Sequence, residues 1–197
     1  MNREEIEQAL AALGEQLAAL KKPHIDLLVC GGAALQALKL VTRTTTKDVD
    51  VVALVSNSPT DGLIMSSANP LPPHLIEAAK KVERDFRLKD GWINPGPTSA
   101  LDFGLPEGVL GRAELRDYGS ALTVRFISRY DQVHFKLYAA VDQGGKHYQD
   151  LLDLKPTGEE LEKAARWSMT HDVSEPYRGE VKRILKEMGH GDVAQRL

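Results

Sequence analysis

The sequence predicts an α/β (α+β) fold of strands and helices, and three observations predict it. An amphipathic helix opens the chain, two short apolar runs follow on either side of Gly31-Gly32, and the tail is a series of helical segments. The 197 residues suffice for one filled core, or for a main domain with a small helical addition.

Ile6, Ala9, Leu10, Leu13, Leu17 and Leu20 recur at three- and four-residue spacing, which places them on one face of a helix over 2–21. Asn2 and Glu5 have capping-box spacing, and Pro23 lies beyond the last turn. Too few heptads are present for a coiled coil, so this helix is expected to pack on the chain's own sheet. Ile25 to Cys30 is a nearly continuous apolar run suited to a buried strand, and Ala33 to Leu38 favours a helix after the glycines. Asp48 to Val55 reads as a β-branched strand ended by Ser56-Asn57-Ser58-Pro59.

From Pro59 to Pro73 the sequence reads as a loop, with an apolar turn at Leu63-Ile64-Met65. A helix is expected over 75–88, a short strand at Trp92-Ile93-Asn94, a short helix near 112–115 and another strand over 122–128. The tail reads as helices over 130–142 and 147–154, one capped by Thr157 and Glu160, and one capped by Ser174. Pro156-Thr157-Gly158 divides the chain into a domain over 1–155 and a helical extension over 156–197 that packs on it.

Composition narrows the function. Hydrophobic residues make up 42% and charged residues 27%, with a formal net charge of -3. That balance argues against a generally basic nucleic-acid surface while leaving room for a local basic pocket. Cys30 is the single cysteine, so no internal disulfide forms, and its apolar surroundings make it a packing residue. No apolar stretch approaches the roughly 18 residues that span a bilayer. Glu4, Glu5 and Glu7 do not suit an export signal, so the cytoplasm is expected and no membrane is.

The chemistry-bearing pattern is centred on Asp48 and Asp50. In a strand these point to the same side at a Cα separation of about 6.6 Å, where two carboxylates can share a hard divalent cation such as Mg²⁺. An exposed strand terminus with solvated carboxylates has the same spacing. Gly31 and Gly32 lie at a strand-to-helix turn that would let a backbone approach a phosphate, or would simply be a tight turn. Arg43 and Lys47 can draw a triphosphate toward the carboxylates, or form a solvated basic loop. Lys136 interrupts an apolar helix face, either reaching a phosphate or extending its ammonium to water. Asp150 and Asp153 share a side of their helix, as an acidic surface would also do. The six histidines form no zinc-binding pattern. Trp92 and Trp167 read as packing anchors, and His171-Asp172 as an end-of-helix pair.

Gly31-Gly32-Ala33-Ala34-Leu35 followed by Arg43-Thr44-Thr45-Thr46-Lys47-Asp48-Val49-Asp50 resembles the polymerase-beta-like nucleotidyltransferase superfamily. Phe135-Lys136-Leu137-Tyr138-Ala139-Ala140 and Gln149-Asp150-Leu151-Leu152-Asp153-Leu154 continue the likeness, which is closest to a small bacterial branch near the abortive-infection and toxin-system enzymes. The resemblance implies a mixed-sheet core with C-terminal helices. It makes Asp48 and Asp50 metal ligands, Gly31 and Gly32 the phosphate-side turn, Lys136 a phosphate-contact or catalytic residue, and Asp150 its acidic companion. The implied reaction is Mg²⁺- or Mn²⁺-dependent transfer of a nucleotidyl group from a nucleoside triphosphate to an RNA, small-molecule or protein hydroxyl. A toxin-like role with a cognate antitoxin partner is compatible with it.

The chain departs from that pattern at the third carboxylate. The neighbouring strands supply Asn94 and Arg125 instead, and Asp102 falls in a Gly/Pro-rich segment. Two further readings therefore stand beside the enzyme: a noncatalytic nucleotide-binding or regulatory module, and a partner-binding antitoxin on the same fold.

Overall fold

Helix α1 (Arg3–Ala19) begins where two side chains exchange hydrogen bonds with the backbone. The Glu5 amide donates to Asn2 Oδ1 at 2.9 Å and the Asn2 amide donates to Glu5 Oε2 at 2.7 Å, which completes the predicted capping box. Its apolar stripe of Ile6, Leu10, Leu13 and Leu17 is buried. The computed structural model describes residues 1–41 and 45–197.

The first apolar run forms strand β1 (Ile25–Cys30), and α2 (Gly31–Ala37) starts directly from it at the two glycines. Strand β2 (Val49–Ser58) is longer than its sequence signal, since it continues through the polar Ser56-Asn57-Ser58. The reason is β3 (Gly62–Ser67), which pairs antiparallel with that extension from Ala53↔Ser67 to Ser58↔Gly62. The expected loop and apolar turn at Leu63-Ile64-Met65 are thus a hairpin strand. Backbone pairing along β2 stabilises a segment whose own pattern carries no alternation.

Helix α3 (Pro73–Phe86) follows, then β4 (Ile93–Asn94), a 3₁₀ turn over Gly96–Leu101, and α4 (Val109–Arg112). Strands β5 (Glu114–Asp117) and β6 (Leu122–Phe126) complete the sheet. The expected helix near 112–115 is displaced toward its N-terminal side, and Glu114 and Leu115 belong to β5. Among the described residues the strand order is β3-β2-β1-β6-β5, with β4 beside β2. β1 is antiparallel to β2 and parallel to β6, and β4 is parallel to β2, so the sheet is mixed.

Alternation decides what each face does. Ile25, Leu27 and Val29 of β1, Val49 and Val51 of β2, and Leu122, Val124 and Phe126 of β6 join the core with α1 and α3. The intervening residues include Asp26, Asp50 and Arg125, so these three polar side chains are kept off the core face. Trp92 is fully buried in that core and its Nε1–H donates to the Ala79 carbonyl at 3.1 Å. It is a packing anchor.

The chain forms two compact units. The first comprises 1–39 and the described residues 45–127, and the second comprises 40–41 and 128–197. The second holds α5 (Arg129–Gln143), α6 (Gly145–Asp153), α7 (Gly158–His171), α8 (Glu175–Glu187) and α9 (Gly191–Arg196). α5 packs against both α6 and α7. The break at 156 is therefore a link inside the helical unit, and the division falls after β6. The predicted caps at Thr157 and Ser174 are present, and Thr157 forms a capping box with Glu160. Among the described residues no helix is long and apolar enough to cross a membrane.

Candidate functional site

Three elements of the first unit meet at Asp50. In the β1–β2 register Asp50 lies opposite Cys30, the residue before Gly31, and in the β2–β4 register it lies opposite Asn94. The Asn94 side-chain amide donates to Asp50 Oδ1 at 3.3 Å, while Asn94 Oδ1 accepts from the Gly96 amide at 2.9 Å. On the other side, a β-carbon built on Gly31 would meet Asp50 Oδ2 at 2.4 Å. Gly31 also holds φ at +68°, in the left-handed region that a side chain disfavours. Two separate constraints therefore require glycine there. Gly31 and Gly32 are both buried, and Asp50 is half-buried.

Asp48 sits just before β2 instead of beginning it, and is also half-buried. Its carbonyl accepts from Thr46 Oγ1 at 3.3 Å, and the Thr46 amide donates to the Met1 carbonyl at 2.8 Å. These bonds hold the approach to β2 against the start of the chain. Lys47 is exposed. Arg43, expected to contact phosphate, lies outside the described residues.

The expected Mg²⁺ or Mn²⁺ centre is corrected by the donor set. Among the described residues no group of three or more His, Cys, Asp or Glu side chains is placed to hold a metal ion. The physical reason is at Asn94, where the strand beside Asp50 offers an amide hydrogen to the carboxylate. A carboxylate at that register would have added the negative charge a divalent ion needs. Asp102 is the C-cap of the 3₁₀ turn, and among the described residues it belongs to no such group. Arg125 is committed elsewhere on β6. Its guanidinium forks onto Asp26, with Nε to Oδ1 at 3.0 Å and Nη2 to Oδ2 at 2.9 Å, an ion pair that ties β6 to β1.

Lys136 and Asp150 belong to the second unit. Lys136 Nζ is 2.8 Å from Asp150 Oδ2, and their side chains are only 5% and 1% exposed. The resemblance implies that Asp150 is the acidic companion of Lys136; the contact itself joins α5 to α6. Burial this deep requires the charges to pair, because either one alone would be left desolvated. Asp153 instead accepts from Gln149 at 3.1 Å on the exposed side of α6. Gln132 lies one turn before Lys136 on α5. It is fully buried, and neither amide atom has a hydrogen-bond partner among the described residues. Its i, i+4 relation to Lys136 was the available signal.

Other singled-out residues have structural work. His134 is buried and its Nδ1 donates to the Tyr130 carbonyl at 3.0 Å. The Trp167 ring centroid lies 4.1 Å from that of His171 and 5.4 Å from that of Phe135, both rings tilted against it, so it anchors α7 against α5. His171 and Asp172 do not address each other: the first bonds to the Trp167 carbonyl and the second accepts from the Ser174 amide at 2.9 Å.

Compared with family models, with curated proteins and with solved structures, the chain matches none.

Proposed function

We propose that this chain is a noncatalytic nucleotide-binding module on a polymerase-beta-like nucleotidyltransferase fold, with the corner formed by Gly31, Asp50 and Asn94 as its ligand-reading centre. The order of parts supports the fold: a buried strand, a helix starting at two glycines, and an antiparallel acidic strand. The observation that carries the reading is the Asn94–Asp50 hydrogen bond. It joins an acceptor and a donor side by side, the complement of neighbouring hydroxyl groups on a sugar. Two acidic residues at this end of β2 repel phosphate oxygens, so the corner suits the ribose part of a nucleotide. Lys47, exposed and next in sequence to Asp48, suits the phosphates.

The test is calorimetric binding of ATP and of its 2′,3′-dideoxy analogue, with chelator present, beside an assay for pyrophosphate release. Ribonucleotide binding is expected, weaker for the dideoxy compound, with no pyrophosphate formed. Asp50→Ala should weaken binding about tenfold, the loss of a hydrogen bond to a charged group. Absence of nucleotide binding, or release of pyrophosphate with an acceptor, overturns the reading.

A further inference from the structure

The two edges of the sheet are built differently. At one edge, β5 carries Glu114, Arg116 and Asp117, and Arg116 pairs with both Glu7 and Glu114. Charges of this kind discourage another strand from adding. At the other edge, β3 reads Gly-Leu-Ile-Met-Ser-Ser and carries no charge. Leu63 is 45% exposed and Ile64 43% exposed. Among the described residues, β2 is the one strand that pairs with β3. Gly62, Leu63, Ile64, Ser66 and Ser67 are all exposed along this edge, and the 3₁₀ turn over Gly96–Leu101 packs against part of the strand; an exposed apolar edge of this kind is a template for strand addition.

We propose that β3 is a self-association edge, pairing antiparallel with β3 of a second copy about a two-fold axis at Ile64. The choice of partner follows from register and charge. Directly opposed residues in an antiparallel pair share a face, so a two-fold at Ile64 sets Ile64 against Ile64 and Leu63 against Met65 on each side. Three apolar residues of one copy then cover three of the other. The same register sets Gly62 opposite Ser66. Asp61, the acidic residue flanking the strand, falls opposite Ser67 and away from its own copy. A parallel self-pairing would bring the two Asp61 carboxylates together, and is disfavoured by that repulsion. One patch thus serves both partners, as a closed two-fold interface requires.

Sedimentation of the full chain across the micromolar range should show a monomer–dimer equilibrium. Ile64→Lys places two ammonium groups face to face on the axis and should raise the dissociation constant on the order of 100-fold. Because residue 64 is exposed, circular dichroism of that variant should be unchanged. Ile64→Cys supplies a second readout, since opposed residues at the axis stand about 4.5–5.5 Å apart between Cα atoms, within disulfide reach. Cys30, the only native cysteine, is buried. Oxidation should link Ile64→Cys chains faster than chains carrying Val173→Cys, a position 82% exposed and far from β3 in sequence. A wild-type chain that stays monomeric overturns the proposal, even if a different protein adds to the edge. So does an Ile64→Lys chain that associates as well as wild type, or equal cross-linking at residues 64 and 173.

Discussion

A β-carbon at residue 31 would lie 2.4 Å from Asp50 Oδ2, where the backbone already holds φ at +68°. Gly31→Ala is therefore expected to cost about 2 kcal/mol or more, combining left-handed strain with displacement of the carboxylate. Gly179 on α8 provides the opposite case, because nothing lies within 4 Å of its added β-carbon and its φ is ordinary for a helix. Gly179→Ala should raise stability by about 0.5–1 kcal/mol. Thermal unfolding of the two variants checks the contrast. Equal effects would mean that the Gly31–Asp50 approach is not a real constraint. At this same scale the sequence was partly legible. Gly31 and Asp50 stood out by residue type, but their contact spans a strand register that no local pattern encodes.

Among the elements, the helical unit depends on a side chain at the first turn of α5. Arg129 Nε donates to the Leu154 carbonyl at 2.9 Å and Nη2 to the Lys155 carbonyl at 2.9 Å, satisfying groups at the end of α6. The same guanidinium meets Glu160 of the α7 capping box, with Nη1 to Oε1 at 2.6 Å. Arg129→Ala should destabilise the chain by about 1–2 kcal/mol, a figure reduced for the partial exposure of the pair. Arg129 is the main cause holding the Glu160 carboxyl below its usual 4.5. A lowered folded value contributes stability above the unfolded one and loses it as pH falls through the folded one. The gap between wild type and Arg129→Ala, measured by denaturant unfolding, should therefore narrow in acid. A constant gap down to full protonation would remove Glu160 from the account. No local pattern marks this role in the sequence, because the three partners of Arg129 lie 25 to 31 residues away.

Across the whole molecule, each unit buries a phenol. Burial, with a hydrogen bond donated to Glu7, pushes Tyr118 well above a phenol's ordinary 10.0. Burial pushes Tyr177 up to about 12 from the same starting value. A raised folded value gives stability that is complete below the unfolded one and lost as pH rises toward the folded one. Stability should thus fall as pH rises above 10.0. Tyr118→Phe and Tyr177→Phe should each make that fall shallower, as followed by denaturant midpoints across the alkaline range. An unchanged slope in both variants would show that these phenols do not link folding to pH.

The sequence by itself determined the elements whose cause is local. The α1 stripe with its Asn2 box, the β1 run, and the caps at Thr157 and Ser174 all follow from side chains within one or two turns or one strand. Tertiary structure decided what depends on pairing between distant segments. It made Leu63-Ile64-Met65 an edge strand, placed Asn94 beside Asp50, and drew α5 and α6 into one unit with the tail. The metal expectation failed for the same reason. Spacing can bring two carboxylates near one another, but the charge of a site depends on what the neighbouring strand contributes. Here that neighbour is an amide, fixed by the β2–β4 register.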